Sequence, residues 1–265
     1  MRVLISGAAS GIGREIARVL ARPGCVLFLT DIQAEALWVL GEYCRAQGAE
    51  VQSAVLDVRD RAGLEAWVHQ AQVLDYVFLC AGITGGRPPC DHYGVAVERE
   101  ERVRAMFDIN VVGVLNIFYP AAALMKRRRR NARGLRGRIC VISSVAGFVS
   151  YPGTPSYGAS KAAVDRLFVA MAPLLGGAGI TLTSVCCGFV DTAMVWRNDF
   201  PMPGLVSVEE AVSRIMRGVR RGKRRVVFPL WLVVGSRLMD LLPPRWAERC
   251  YLRQPSAQPA GMPDF

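Results

Sequence analysis

The first two thirds of the chain alternate between short apolar runs and longer stretches with helical periodicity. Short apolar runs bounded by turn residues are typical of buried strands. Four such runs are residues 2–6, Val26–Thr30, Val51–Leu56 and Tyr76–Leu79. Between the first two, apolar residues from Ile12 to Leu20 recur at the spacing of one helix face. Because the alternation continues to residue 188, it predicts an α/β fold with a doubly wound parallel sheet and helices on both faces.

The pattern changes in residues 226–252, an apolar segment with tryptophans that follows a basic run. One interpretation is a last core strand, Arg225–Phe228, followed by a helix that buries its apolar side against the body or a second subunit. The other is contact with the surface of an anionic membrane. The segment is too short to span a bilayer. No linker divides the chain, so residues 1–252 are predicted to form one domain, and the Pro-rich residues 253–265 a disordered tail.

A glycine-rich turn follows the first predicted strand and opens the first predicted helix. It contains Gly7, Ser10, Gly11, Ile12 and Gly13 in the spacing GxxxGxG. Glycines let a backbone approach a pyrophosphate, and a helix N-terminus offers free N–H groups at a positive dipole end. Since strand, turn and helix come in the order that a phosphate-binding fingerprint requires, the turn predicts a dinucleotide site.

Acidic residues follow the next two strands. Asp31 lies at the distance from the glycine turn where a carboxylate commonly binds the adenosine ribose. It would repel a 2′-phosphate, which favours NAD over NADP. Alternatively, Asp31 caps the helix that begins near Ala34. Asp57, followed by Val58, could bind the adenine amino group, although an ordinary strand-end turn explains it as well.

Tyr157 and Lys161 are four residues apart, so on a helix they share a face. A tyrosine with a pKa near 10 is a poor acid or base at neutral pH, but a neighbouring cation lowers that pKa. Only three of the 33 basic residues are lysines, and one stands at 161. Ser144 ends a predicted strand thirteen residues before Tyr157. The pair of Tyr157 and Lys161, together with Ser144, predicts a proton-transfer site.

Together these motifs resemble the classical short-chain dehydrogenase/reductase family over about residues 1–220, which implies a Rossmann-like single domain. Residues 6–13 resemble its TGxxxGxG turn, with Ser6 for threonine, and Cys80, Ala81 and Gly82 resemble its NAG segment, with Cys80 for asparagine. Residues 188–192 are similar to its PG segment, with Cys187 in place of the proline. The residues similar to its catalytic tetrad are Asn110, Ser144, Tyr157 and Lys161.

The resemblance implies a mechanism. Tyr157 takes a proton from an alcohol or gives one to a ketone, Ser144 stabilises the substrate oxygen, and Lys161 lowers the pKa of Tyr157 and holds the nicotinamide ribose. Asn110 holds a water that links Lys161 to solvent. The cofactor contacts that it implies are Gly7, Ser10, Gly11, Ile12, Gly13, Asp31, Asp57, Val58, Cys80, Ala81, Gly82, Tyr157, Lys161, Gly188, Val190 and Thr192.

Charge and cysteine content bound the remaining function classes. The net charge is +11, with one basic block at residues 126–138 that predicts a solvated loop. Because no aromatic residues interleave with these arginines, nucleic acid is disfavoured as a partner, and anionic lipid is the other candidate. Eight cysteines without CxxC spacing predict a reducing compartment and no metal site. With no secretory signal pattern, we expect a cytoplasmic protein, at most peripheral at the inner membrane surface.

The predicted function is an NAD-dependent oxidoreductase, a homodimer or homotetramer, that interconverts a secondary alcohol and a ketone. The apolar segment Ala193–Val206 predicts a cover over the substrate side of the cleft and a hydrophobic substrate. A capping box at Ser207 predicts the start of the next helix. The alternative is a redox-sensing, NAD(H)-binding regulatory protein that engages an acidic partner through its basic surface. The complete tetrad favours the enzyme, because a sensor has no use for a proton donor.

Overall fold

The computed structural model of the protein describes residues 1–85, 97–196, 198 and 201–251. Within them one sheet has strands β1 (Arg2–Ser6), β2 (Val26–Asp31), β3 (Glu50–Val55), β4 (Tyr76–Leu79), β5 (Gly137–Ser144), β6 (Ile180–Cys187) and β7 (Arg225–Phe228). All are parallel, in the order β3-β2-β1-β4-β5-β6-β7. The helices are α1 (Gly11–Leu20), α2 (Ala34–Ala46), α3 (Arg61–Gln70), α4 (Glu100–Phe107), α5 (Gly113–Arg127), α6 (Pro155–Gly177), α7 (Val208–Arg220), α8 (Leu230–Asp240) and α9 (Pro244–Tyr251).

Two apolar cores lie on opposite faces of the sheet. Alternate residues of a strand point to opposite faces, so Val3 and Ile5 enter one core and Leu4 enters the other. The first core is closed by side chains of α1, α2 and α7, and the second by side chains of α3, α5 and α6. The predicted doubly wound α/β fold with a Rossmann-like sheet is confirmed.

Strand bounds follow the apolar pattern where most of a strand's side chains are shielded from solvent. β1, β4 and β7 begin and end at the predicted residues, whereas β2 extends by one residue to Asp31. β3 runs one residue earlier than predicted, at Glu50–Val55 instead of Val51–Leu56. This strand lies at the edge of the sheet and several of its side chains are exposed, so its apolar residues do not mark its ends.

The continuous helical run Glu100–Arg127 is long and apolar enough to cross a bilayer by length and composition alone. In this fold Ile117, Phe118 and Ala121 of that run are fully buried in the core beside α3 and α6. One face of this run therefore packs in the core on that side of the sheet.

The carboxyl-terminal helix α8 follows β7 as predicted, but it buries only a small part of its apolar surface against the body. Only Val233 of α8 is buried, in a small cluster with Phe148 and Cys186. The exposed large apolar residues of this region are Leu230, Trp231, Val234, Leu238, Leu241, Leu242 and Trp246. Packing of α8 on the body is therefore only partial, and contact of its exposed face with a second subunit or a membrane stays a prediction. Residues 252–265, with the predicted tail, lie outside the described residues.

Candidate active site

The turns after β1 and β4 meet at the carboxyl edge of the sheet, where the direction of winding reverses and ligands of this fold class bind. Gly7 has a positive φ of 66°, and a Cβ there would lie 2.6 Å from the nitrogen of Ala81. Only glycine permits this approach. The predicted residues Cys80, Ala81 and Gly82 therefore lie against the glycine turn.

The amino end of α1 forms a cradle beside this contact. A Cβ on Gly13 would lie 2.1 Å from the carbonyl oxygen of Gly7, so the turn folds tightly under the helix. Ser10 occupies the N-cap but makes no side-chain hydrogen bond, and the first turn, with Gly11 and Ile12, has no acidic residue. Free N–H groups at a positive dipole end suit a pyrophosphate, so these residues fit a dinucleotide.

Asp31 joins the glycine turn to the start of α2. Its Oδ2 accepts a hydrogen bond from the Ala9 nitrogen at 2.9 Å, and its Oδ1 accepts one from the Gln33 nitrogen at 3.0 Å. The alternative interpretation made Asp31 the cap of α2, but the N-cap position of that helix is Gln33. The carboxylate lies beside the turn, where a ribose contact was predicted.

The two predicted adenine contacts already have partners within the chain. Asp57 pairs with Arg59, whose hydrogen bonds hold the pKa of that carboxyl below its usual range. The buried side chain of Val58 lies where a Cβ on Gly113 would touch it, and its carbonyl accepts a hydrogen bond from Asn116 at 2.9 Å. No pattern in the sequence indicated these partners, and the adenine contact stays a prediction.

Asn110 lies in a π-helical turn, Asp108–Val112, that interrupts α4 and α5. Such turns are frequent at functional sites because the extra residue redirects a side chain. Its Oδ1 accepts from the Ile83 nitrogen at 2.8 Å, and its Nδ2 donates to the Ile83 carbonyl and the Ser160 hydroxyl, both at 3.0 Å. Both amide hydrogens are used, so the side chain ties the loop after β4 to the Tyr157 helix.

Ser144 and Tyr157 face each other across the cleft. The Ser144 hydroxyl accepts a hydrogen bond from the Ala146 nitrogen at 3.1 Å, and so it also caps the short 3₁₀ turn Val145–Phe148. Burial, reinforced by the nearby thiol of Cys187, raises the pKa of Tyr157 above its ordinary value, while a hydrogen bond with Ser144 opposes the shift. Among the protein's own groups burial therefore dominates, and a lowering of this pKa by Lys161 together with a cationic nicotinamide ring stays a prediction.

Lys161 lies under the same cleft with its ammonium 5.7 Å from the centre of the Tyr157 ring. Its Nζ donates to the Ile142 carbonyl at 2.9 Å, and a Cβ on Gly82 would lie 3.2 Å from it. Burial lowers the pKa of Lys161 to about 8, although the thiols of Cys187 and Cys80 oppose the shift. The ammonium lies between the loop after β4 and the catalytic tyrosine candidate.

The loop after β6 closes the site from the other side. A Cβ on Gly11 would lie 3.2 Å from Cγ2 of Thr192, which brings this loop over the glycine turn. The Gly188 nitrogen donates to the Phe228 carbonyl at 2.8 Å, and Val190 forms a bridge to Val206. All the predicted site residues thus lie along the carboxyl edge. Of the predicted substrate cover, residues 197, 199 and 200 lie outside the described residues.

Cys187 and Cys80 lie beside the predicted catalytic groups as inert thiols. Burial raises the pKa of Cys187 to about 11 and that of Cys80 to about 12, so both remain protonated at neutral pH. Cys187 is the last residue of β6 and pairs in the sheet with Ser144 and Phe228. Cys187 therefore belongs to the sheet, and the loop that follows begins at Gly188. Within the described ranges no group of three possible metal ligands occurs.

The sequence did not indicate Glu98, which caps the helix that carries Tyr157. Its Oε2 accepts a hydrogen bond from the Ser156 nitrogen at 2.9 Å, although the two residues are 58 positions apart. The local N-cap, Thr154, makes no side-chain hydrogen bond, and the first turn of α6 has no acidic residue. A carboxylate from outside the helix therefore accepts a hydrogen bond from the first turn of α6 and places negative charge at its positive dipole end, beside the candidate catalytic tyrosine.

Asp165 continues the face of α6 that carries Tyr157 and Lys161. It is 1% exposed and pairs with Arg225 of β7 through hydrogen bonds of 3.0 and 2.6 Å. The Ser184 hydroxyl donates to the same carboxylate at 2.8 Å. Burial would raise the pKa of Asp165, but Arg225 and the other donors hold it below its usual range. This buried pair fixes the catalytic helix to the last strand.

Comparisons with known proteins bear on the family and the fold of the chain. The sequence model of the short chain dehydrogenase family matches residues 1–200. An oxidoreductase of Myxococcus xanthus described as uncharacterized is 34% identical over 91% of this chain and 92% of its own. Oxidoreductase UcpA of Salmonella typhimurium is 34% identical over 72% of this chain and 70% of its own. A short-chain dehydrogenase from Sphingobium yanoikuyae, solved in complex with NADPH, has a TM-score of 0.76 at 24% identity and covers 92% of this chain and 96% of that one.

Proposed function

We propose that this chain, which belongs to the short-chain dehydrogenase family and is an oxidoreductase, interconverts a secondary alcohol and a ketone. The observation that carries the proposal is the arrangement of Ser144, Tyr157 and Lys161 beside the glycine turn. A nicotinamide dinucleotide bound there supplies the acceptor or donor of the hydride.

Tyr157 moves the proton of the substrate hydroxyl. The protonated phenol of Tyr157 gives its proton to a ketone oxygen. Burial raises the pKa of Tyr157 and makes it a weaker acid, so the nearby Lys161 ammonium, which favours the phenolate, is part of the proposal. Ser144, which hydrogen-bonds Tyr157, donates to the same oxygen and stabilises the charge that develops on it. In the direction of alcohol oxidation the phenolate is required, so activity in that direction is expected to rise with pH.

Lys161 and Asn110 prepare the site. The Lys161 ammonium is held by the Ile142 carbonyl, within reach of the ribose position and of the Tyr157 ring. Asn110 fixes the loop after β4 against Ser160, so the wall beside the ammonium keeps its position. A water relay from Lys161 to solvent is part of the proposal. Both amide hydrogens of Asn110 already donate within the protein, so they are not available to that water.

The proposed cofactor is NAD. The Asp31 carboxylate beside the glycine turn would repel a 2′-phosphate at the ribose position. NADP is the alternative, which the NADPH complex of the Sphingobium dehydrogenase supports.

A hydrophobic substrate is proposed from the loop after β6. Met194, Trp196 and Leu205 of this loop leave large apolar surface exposed near the cleft. Trp196 is oriented by a hydrogen bond of 2.8 Å from its indole nitrogen to Asp191. Hydroxysteroids, 3-hydroxyacyl thioesters and aliphatic secondary alcohols are therefore the substrate classes to test against polyols.

The test is oxidation of this panel, followed by the absorbance of reduced nicotinamide, with NAD and NADP run separately. Tyr157→Phe should bind reduced cofactor as the natural chain does and lose turnover at least about 100-fold, since it removes the transferable proton. Tyr119→Phe is the matched control, because that tyrosine is exposed on α5 and should leave turnover unchanged. Near-normal turnover by Tyr157→Phe would contradict the mechanism, and silence of the natural chain on every class would contradict the function.

A further inference from the structure

A second cavity opens at the amino edge of the sheet, opposite the proposed active site. Its volume is about 510 Å³. It lies between the segment that joins α5 to β5, the first residues of β4 and β5, and the end of α7. Its walls carry five arginines, Arg128, Arg133, Arg136, Arg138 and Arg220, and we call it the arginine cleft.

Main-chain carbonyls hold two of these guanidinium groups in place. Arg136 donates to the carbonyls of Arg128 at 2.7 Å and Ala178 at 2.6 Å. Arg138 donates to the carbonyl of Val219 at 3.1 Å and lies 5.6 Å above the Tyr76 ring. A carbonyl orients a guanidinium group without removing its charge. The sequence predicted a solvated loop here, and several of its basic residues are exposed, but carbonyl contacts anchor Arg136 and Arg138 to the surface.

The charge of the arginine cleft is poorly balanced. Asp75 is the one carboxylate in its walls, and it pairs with Arg128 while also accepting from the Arg2 nitrogen. Among the ion pairs of the described residues, none reaches the other four arginines. Like charges gathered around one cavity repel each other, so an anion that enters it is favoured.

We propose that the arginine cleft binds a phosphoryl group of a small polyanion. Guanidinium forks match phosphate oxygens, and groups already oriented by carbonyls lose little freedom on binding. The volume is that of a small-molecule site. A nucleic-acid strand is disfavoured, because the one aromatic ring in these walls, Tyr76, is covered by Arg138 and offers no free stacking surface. The inference does not depend on the proposed reaction.

Calorimetric titration with tripolyphosphate at low salt tests the proposal. The cleft variant, Arg133→Ser with Arg220→Ser, changes two exposed side chains and should keep the fold, which thermal melting checks. We expect its affinity for tripolyphosphate to fall at least tenfold. The control variant, Arg22→Ser with Arg61→Ser, removes the same charge from exposed positions outside the cleft and should bind as the natural chain does.

Further arms separate the sources of the phosphoryl group. Saturation with NADH and NADPH should leave binding in place, because the glycine turn is at the other edge of the sheet. If only tripolyphosphate binding falls in the cleft variant, the ligand is a soluble anion, and if sedimentation with phosphatidylglycerol vesicles also falls, it is a lipid headgroup. The proposal would be overturned if tripolyphosphate did not bind, if both variants lost binding equally, or if the dinucleotides competed with it. It would also be overturned if a 20-nucleotide strand bound more tightly than tripolyphosphate and the cleft variant lost that binding.

Discussion

The ammonium of Lys161 donates a hydrogen bond to the main-chain carbonyl of Ile142 at 2.9 Å, and it is almost wholly buried. Burial lowers its pKa to about 8 from an ordinary value of 10.5. Between these values the unfolded chain binds a proton that the folded chain has released. The penalty for burying the ammonium is therefore present below pH 8 and is removed as the pH rises.

This linkage predicts an alkaline gain in stability. Between pH 7.5 and pH 9.5, the free energy of unfolding of the natural chain should rise by about 2 kcal/mol relative to that of Lys161→Met. Urea unfolding at the two pH values measures the difference. Lys223→Met, at an exposed position, should keep the pH dependence of the natural chain. Parallel behaviour of Lys161→Met and the natural chain would show that Lys161 is not perturbed by burial.

Asp31→Ser tests the choice of cofactor. Removing the carboxylate beside the ribose position should raise the ratio of kcat/KM for NADP to that for NAD at least tenfold, because a like-charge repulsion is lost. Glu42→Ser removes an equal charge from the exposed face of α2 and should leave the ratio unchanged. A natural chain that already prefers NADP would refute the assignment of NAD to Asp31.

Gly13→Ala should disturb the cradle for the pyrophosphate. Its new Cβ would lie 2.1 Å from the Gly7 carbonyl oxygen, and main-chain atoms would have to shift. We expect a loss of about 2–4 kcal/mol in stability and weaker binding of both dinucleotides, measured by melting and by fluorescence titration. Gly235→Ala, inside α8, has no neighbour within 4 Å and should stabilise by about 0.5–1 kcal/mol. Equal effects of the two substitutions would argue against a tight turn.

The exposed face of α8 predicts association with anionic vesicles. Trp231 and Leu238 are 56% and 60% exposed, and Arg237 and Arg245 lie in the same region. Pairing two copies through this face would bring like charges together, whereas anionic lipid would offset them. Trp231→Glu with Leu238→Glu should abolish sedimentation with phosphatidylglycerol vesicles.

The control for that experiment is Trp38→Glu with Leu174→Glu. These side chains are 64% and 75% exposed on α2 and α6, away from the carboxyl-terminal helices. This variant should sediment with the vesicles as the natural chain does. Equal loss in both variants would mean that added negative charge, and not the α8 face, controls binding.

Local signals predicted the parts of the site that neighbouring residues determine. The glycine turn is set by backbone conformations within residues 7–13, and the shared face of Tyr157 and Lys161 follows from helical spacing. Central strands are buried on both sides, so their apolar runs mark their bounds, as β1 shows.

Features that depend on residues far apart in the chain could not be predicted from the sequence. Glu98 reaches the start of α6 from 58 residues away, and no spacing rule connects the two. The pKa of Tyr157 depends on how deeply the fold buries it, which a neighbouring lysine does not reveal. The arginines of residues 126–138 read as a solvated loop because their carbonyl partners, such as Ala178, belong to other elements.

Through the ion pair of Asp165 and Arg225, strand β7 near the end of the chain holds the catalytic helix in place. Arg225 also lies 5.5 Å above the Phe148 ring, and Arg237 of α8 lies 4.4 Å from the same ring, close after Ser144. Cutting the chain before Arg225 would leave the Asp165 carboxylate buried without its cation, one helical turn beyond Lys161. A truncation that removes Arg225 would therefore damage the active site, although Arg225 and the residues after it take no part in the proposed chemistry.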